Sequence, residues 1–197
     1  MNGAASPPGD LPAKVVAALD RLARGQRSFR QSIASSHGLT PLQVELLTTL
    51  AEGPPPVPLV GLLASELGVT QPTVTDSVRA LELKFLVERR TDSADRRRTT
   101  VVLTPTGRRL AADLAAADNE LIDAVSSLDR PSQEAALETV LTLIRHLVDT
   151  GTISVARTCF TCRFHQQADT GEHRCTLLNL DLPPAELRVN CAEHVPA

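Results

Sequence analysis

The 197-residue sequence contains no tryptophan, no tyrosine and four phenylalanines. Platforms that stack the bases of single-stranded nucleic acid need aromatic faces, so that class of binder is excluded. No apolar run approaches the ~18 residues that a membrane-spanning helix requires. The opening residues, Met1-Asn2-Gly3-Ala4-Ala5-Ser6-Pro7-Pro8, have neither a basic start nor an apolar stretch and do not read as a secretion signal. There is no glycine-rich phosphate loop, no nucleophile elbow and no His-Glu-x-x-His pair. His37, beside Gly38, reads as a helix-end residue rather than a base. These absences point to a cytoplasmic chain that is not an enzyme. In their place stands a hydrophobic share of 42%, enough for a core. The length suits one domain with a small attachment.

Charge is sparse overall, at a net −3, but it is unevenly spread. Residues 69–110 carry nine basic side chains (Arg79, Lys84, Arg89, Arg90, Arg96, Arg97, Arg98, Arg108 and Arg109) against five acidic ones, a local +4. Residues 111–150 carry two basic and eight acidic, a local −6. Binding to a polyanion follows local charge, because released counterions supply the free energy. The basic stretch is therefore a candidate nucleic-acid face despite the acidic total.

The punctuation along the chain is helical. Residues 1–10 are small and rich in proline and glycine, and read as disordered. Apolar residues at helical spacing from Leu11 to about Ser36 predict a long amphipathic helix, stopped at His37-Gly38. Thr40-Pro41 supplies a cap followed by proline at the first helical position, and Leu42, Leu46, Leu47 and Leu50 give the face of a second helix. A short helix with Leu59, Leu62, Leu63 and Leu67 closes at Gly68. Thr70 and Pro72 then open another, with Val74, Val78, Leu81 and Phe85 on one side. Two helices joined by a tight glycine turn form a helix-turn-helix. The second exposes Gln71, Thr73, Thr75, Asp76 and Arg79 where such helices meet base edges.

Val87–Thr91 and Thr99–Leu103 are β-prone runs flanking the polar Asp92-Ser93-Ala94-Asp95-Arg96-Arg97-Arg98, the pattern of a hairpin with a basic tip. Thr104-Pro105 starts a helix carrying Leu110, Leu114, Leu121 and Val125. After a break near Asp129-Arg130-Pro131, Ser132 opens the last helix, which ends near Gly151. The fold class expected is mainly α: a winged helix-turn-helix with a helical dimerisation region over 11–151, and a small irregular cysteine-rich module over 152–197.

In order and spacing, Leu39-Thr40-Pro41-Leu42-Gln43, Leu62–Thr75, Val78-Arg79-Ala80-Leu81-Glu82, Leu86-Val87-Glu88-Arg89, Asp95-Arg96-Arg97 and Leu103-Thr104-Pro105-Thr106-Gly107 resemble the MarR family of bacterial transcriptional regulators. The resemblance covers about three quarters of the chain. It implies a homodimer, held by the first and last two helices, that grips a pseudo-palindromic double-stranded DNA operator, most often as a repressor. Two recognition helices would then sit one DNA turn apart, roughly 34 Å. Thr73 and Thr75 offer hydroxyls, and Arg79 reaches a phosphate or guanine. By the resemblance, Arg97 enters the minor groove with Asp95 fixing its direction, while Arg96 and Arg98 meet phosphates. Two residues depart from the pattern. Asp76 stands where many members have arginine, and Phe85 stands where they usually have glycine.

The four cysteines fall within the last 39 residues as Cys159-x2-Cys162-x12-Cys175-x15-Cys191. In a cytoplasmic protein such a set reads as metal ligands rather than disulfides. Cys159 and Cys162 form a knuckle that turns both thiolates toward one metal centre. One knuckle with two distant cysteines resembles high-potential-type [4Fe-4S] modules, in which Phe160, Phe164, Leu177, Leu178 and Leu180 would shield the cluster. A structural Zn2+ site and metal-free redox thiols are the alternatives. His165, His173 and His194 read as surface or supporting residues. Placed after the dimerisation helix, a cluster would make DNA binding depend on redox state, oxygen, nitric oxide or iron. With zinc instead, a small-molecule pocket would do the sensing.

Overall fold

The structure, a computed structural model, describes residues 10–52, 58–91, 99–115 and 119–197. The first helix, α1 (Leu11–Ser36), is capped by the Asp10 carboxylate, which accepts from the Ala13 N–H at 3.3 Å. Gly38 takes φ +61° at its end, and the Leu39 N–H closes back on the Ala34 carbonyl at 2.7 Å. At α2 (Pro41–Glu52) a reciprocal capping box forms: the Gln43 N–H donates to the Thr40 hydroxyl, and the Thr40 N–H donates to the Gln43 side-chain oxygen. Both boundaries fall where local chemistry places them.

The helix-turn-helix consists of α3 (Val60–Glu66) and α4 (Gln71–Leu83), joined through Gly68 at φ +64°. The Thr70 hydroxyl accepts from the Thr73 N–H and starts α4. Val74, Val78 and Leu81 are fully buried among Leu46, Leu47, Leu63 and Val101, and these residues form the centre of the main core. Phe85 follows α4 with φ +56° and is 79% exposed. A non-glycine residue in that conformation costs roughly 1–2 kcal/mol. The chain therefore makes a left-handed turn here without a glycine.

Strand β1 (Val87–Thr91) pairs antiparallel with β2 (Thr99–Leu103), Val87 opposite Leu103 and Thr91 opposite Thr99. The Pro58-Leu59 segment borders β2, through a Val101 N–H to Pro58 carbonyl bond of 2.9 Å and a bridge from Leu59 to Thr100. The tip expected to carry Asp95, Arg96, Arg97 and Arg98 lies outside the described residues.

Three helices follow: α5 (Pro105–Ala115), α6 (Asn119–Ser126) and α7 (Arg130–Asp149). The expected single helix through Val125 is thus seen as α5 and α6, with 116–118 outside the described residues. The start of α7 also corrects the reading at Ser132. Asp129 is extended, and Arg130-Pro131 fill the first helical positions, where proline's missing N–H is harmless. Glu134, one turn in, takes the Arg130 side chain at 2.9 Å.

Beyond Gly151 the expectation of an irregular module holds only in part. A 3-10 turn over Cys159–Thr161 leads into β3 (His165–Gln167), β4 (His173–Cys175) and β5 (Leu180–Leu182), an antiparallel meander in that order. Its small core, Cys159, Phe160, Leu182 and Leu187, packs against Leu141 of α7. The Arg145 guanidinium of α7 donates to the Phe160 carbonyl at 2.8 Å. No helix among the described residues is long and apolar enough to cross a membrane.

Gly107 explains the Leu-Thr-Pro-Thr-Gly run. A Cβ there would lie 1.9 Å from the Leu86 carbonyl oxygen, which the Thr104 N–H and hydroxyl also approach. Backbone meets backbone, so a side chain forces the wing strand and α5 apart. Gly107→Ala is expected to destabilise the protein by ~1–3 kcal/mol. Thermal melts followed by far-ultraviolet circular dichroism check this, and an unchanged melting temperature contradicts the packing.

Candidate functional site

Gln71, Thr73, Thr75, Asp76 and Arg79 are all exposed on α4, opposite its buried valines and leucine. Five of the nine sequence-predicted DNA-facing residues are thus brought onto one solvent face. Their hydroxyls are partly committed: Thr75 donates to the Gln71 carbonyl at 2.9 Å, and the Thr73 and Thr70 hydroxyls lie 2.7 Å apart. With its proton used in the helix, Thr75 presents acceptor lone pairs outward. Among the described residues Asp76 and Arg79 have no ion-pair partner. The wing is joined to this helix by Arg89 of β1. Its guanidinium lies 3.5 Å from the Glu82 carboxylate and 3.5 Å from the Thr75 carbonyl.

Several basic side chains of the +4 stretch are therefore structural. Arg89 braces strand to helix, Arg90 pairs with Glu88, and Arg108 donates to the Leu103 carbonyl at 2.8 Å. Lys84 donates to the Gly38 carbonyl and Arg109 to the Thr106 hydroxyl, both on the surface, while Arg79 stands at the exposed face of α4.

The four cysteines, 32 residues apart at the extremes, converge on one cavity. Cys159, Cys162, Cys175 and Cys191 line it together with Phe164, Leu177, Leu178 and Leu182 and the charged Arg188 and Glu193, and the cavity is small, about 20 Å3. The sequence accounts for each placement. The 3-10 turn presents Cys159 and Cys162, and β4 carries Cys175 opposite His165. The Cys191 N–H is anchored on the Arg157 carbonyl at 2.8 Å. All four thiols are free. Burial pushes the Cys159 thiol above its ordinary range, the Arg188 N–H opposes this by donating to its sulfur at 3.1 Å, and the nearby Cys191 and Cys175 raise it further.

Among the described residues, no three His, Cys, Asp or Glu side chains are gathered closely enough to hold a single ion. One zinc needs four donors at about 2.3 Å from a point. A four-iron cube is bound by four cysteines around a bulkier core. Four free thiols lining one small cavity, with the Arg188 N–H on the Cys159 sulfur, are a donor type that suits zinc and iron–sulfur clusters alike.

Of the histidines expected at the surface or in supporting positions, His165 and His173 take the supporting kind. The His173 side chain is 1% exposed; its Nε2 meets the Glu138 carboxylate of α7 at 3.1 Å, and its Nδ1 meets His165 Nε2 at 3.1 Å. The Phe160 ring stacks on His165, 5.0 Å between centroids, and lies 5.2 Å from His173. With the carboxylate accepting, His173 carries its proton on Nε2, accepts on Nδ1, and leaves His165 Nδ1 unprotonated. His165 itself borders the cysteine cavity. Burial, then the neighbouring His173 and Arg145, lower the His165 pKa from 6.5 to about 4. Sequence reasoning missed this relay, because Glu138 and His173 stand 35 residues apart.

Residues 37–98 match the sequence profile of the MarR family, less than half of the chain. No curated protein sequence matches at a significant level. Among solved structures, the transcriptional regulator BldR from Sulfolobus solfataricus is 26% identical with a TM-score of 0.55, over 68% of this chain and 95% of that one. A MarR transcriptional regulator from Methanosarcina mazei Go1 is 19% identical with a TM-score of 0.59, over 70% and 99%. A point mutant of MepR from a multidrug-resistant S. aureus clinical isolate is 22% identical with a TM-score of 0.56, over 68% and 96%. These similarities identify a MarR-type winged-helix fold, with the family's sequence signature over residues 37–98.

A neutral His165 ties the module to pH. The unfolded imidazole takes up its proton near 6.5 and the folded one only near 4, so the unfolded state binds more protons in between. Stability of the metal-free protein is expected to fall as pH drops from 6.5 toward 4. In His165→Gln that slope flattens. Thermal melts across this range check both statements, and an equal slope in the two proteins contradicts them.

Proposed function

We propose that this chain is a DNA-binding transcriptional regulator that grips a pseudo-palindromic operator as a homodimer and represses by occupancy. The observation that carries the reading is α4: a helix-turn-helix second helix whose buried side is fixed and whose other side presents Gln71, Thr73, Thr75, Asp76 and Arg79 to solvent beside a two-stranded wing. Such a helix fits the major groove, while Arg97 at the wing tip would enter the minor groove, with Asp95 orienting it and Arg96 and Arg98 on phosphates.

The homodimer is supported by apolar side chains that the single chain leaves uncovered. Leu11, Val16, Leu22 and Phe29 are exposed along α1, Ile122 and Val125 on α6, and Val140, Leu143 and Leu147 on α7. A stripe of this extent on helices at both ends of the fold is what a self-complementary interface buries.

The four thiols are proposed to hold a [4Fe-4S] cluster, which makes the regulator sensitive to redox state, oxygen, nitric oxide or iron. When bound, the cluster supplies one-electron redox chemistry and oxidative lability. The chain's own part is separable from that chemistry. Cys159, Cys162, Cys175 and Cys191 ligate, the Arg188 N–H stabilises charge on the Cys159 sulfur, and Phe164, Leu177 and Leu178 keep water from the cavity.

Two measurements decide these points. Arg79→Ala, and separately Arg97→Ala, is expected to weaken operator binding by ~1–3 kcal/mol, read by titration of a labelled duplex. Unchanged affinity in both variants contradicts the assigned face. Protein purified without oxygen is expected to be brown and to contain iron and acid-labile sulfide in equal amounts. Colourless protein with one zinc per chain replaces the cluster by a structural clip.

A further inference from the structure

The cysteine module touches more than the dimerisation helix. Arg157, two residues before Cys159, reaches across to Glu66, the last residue of α3, and its Nε lies 3.3 and 3.2 Å from the two carboxylate oxygens. The pair is well shielded, with side chains 7% and 16% exposed. Next to it the Ser154 hydroxyl donates to the Ser65 carbonyl at 3.3 Å. Asn190, the neighbour of Cys191, lines the same crevice as Glu66 and Leu67.

Each end of this contact is tied to something that matters. A carboxylate at a helix C-terminus is repelled by the helix dipole, so Glu66 is held in place by the cation against it. Glu66 also abuts the Gly68 turn that sets the angle of α4. At the other end, the Arg157 carbonyl accepts from the Cys191 N–H, the Cys159 N–H donates to the Arg188 carbonyl, and the Thr161 hydroxyl donates to the Ala156 carbonyl at 2.6 Å. The main chain that carries the Arg157 side chain is thus hydrogen-bonded directly to the loops that carry Cys159 and Cys191.

We propose that Arg157 and Glu66 are the positioning pair through which the cysteine module sets the helix-turn-helix within the same chain. The route from sulfur to DNA then runs from Cys191 and Cys159 through Arg157 to the end of α3 and on to α4, bypassing the dimer seam. This rests on the DNA-binding reading above for its consequence. The link itself is a property of the folded chain and can be tested separately. A change in how the cysteines are held would tilt α3 by releasing or tightening one buried ion pair, a two-position element of the kind that carries coupling.

The experiment is a cycle in the full-length protein. Cys191→Ser is made alone, in an Arg157→Gln background, and in the charge-swapped Glu66→Arg/Arg157→Glu background. Two quantities are read: the dissociation constant for an operator duplex, and hydrogen exchange of the amides over residues 60–70. With Arg157 in place, Cys191→Ser is expected to change duplex affinity by about 5- to 150-fold. In Arg157→Gln the same change shrinks to no more than about twofold, the range of independent sites. The swapped pair restores the larger effect, which a merely destabilised chain would not do. The link is overturned if Cys191→Ser has the same effect with and without Arg157, or none when Arg157 is present. If no protein in the set binds duplex, the regulator reading fails, and exchange over 60–70 still judges the link. It stands if Cys191→Ser alters that exchange only when the ion pair can form, and falls otherwise.

Discussion

Burial of Val74, Val78 and Leu81 decides what the second half of this helix-turn-helix can do. With those three side chains at zero exposure, the rotation of α4 is fixed, and a 3.6-residue period sends Thr73, Thr75, Asp76 and Arg79 outward. The wing inherits its position from the same packing. Val87, Val101 and Leu103 share that core, the Leu86 carbonyl presses on Gly107, and Arg89 braces β1 against α4. A core of aliphatic side chains thus serves as the jig for a polar surface.

Most of this winged-helix frame was legible in the sequence because its signals are local. Thr40-Pro41, Thr70 with Pro72 and Gly68 act within one helical turn, where capping and backbone sterics outweigh anything distant. The same logic failed at Ser132. Asp129 and Pro131 offered an equally good start three residues earlier, and the helix begins there. The small meander was missed because strands of three residues are too short to show an alternating pattern. Which arginines are committed internally was also hidden. Arg89 and Arg90 read as part of a basic face, yet each meets an acidic side chain in the fold.

The cysteine spacing announced a common site but not its surroundings. Of the five apolar shields anticipated, Phe164, Leu177 and Leu178 line the cavity, while Phe160 packs into the module's core and Leu180 is exposed. The Arg188 N–H on Cys159 and the Glu138–His173–His165 relay depend on contacts across the chain. The ion pair between Glu66 and Arg157 spans 91 residues, and neither residue belongs to a motif. Such pairs leave no periodic trace. They are also where an attached module stops being an appendage and becomes part of the winged-helix domain.

The central claim is that two copies of this chain clamp one duplex. Its most direct test is a titration of the purified protein against promoter fragments from its own genome over a range of salt concentrations, with the mass of the complex measured. The expected result is two chains per duplex and an association constant that falls steeply and linearly on a logarithmic salt scale, as phosphate neutralisation requires. A protein that stays monomeric and retains no fragment even at low salt would contradict it.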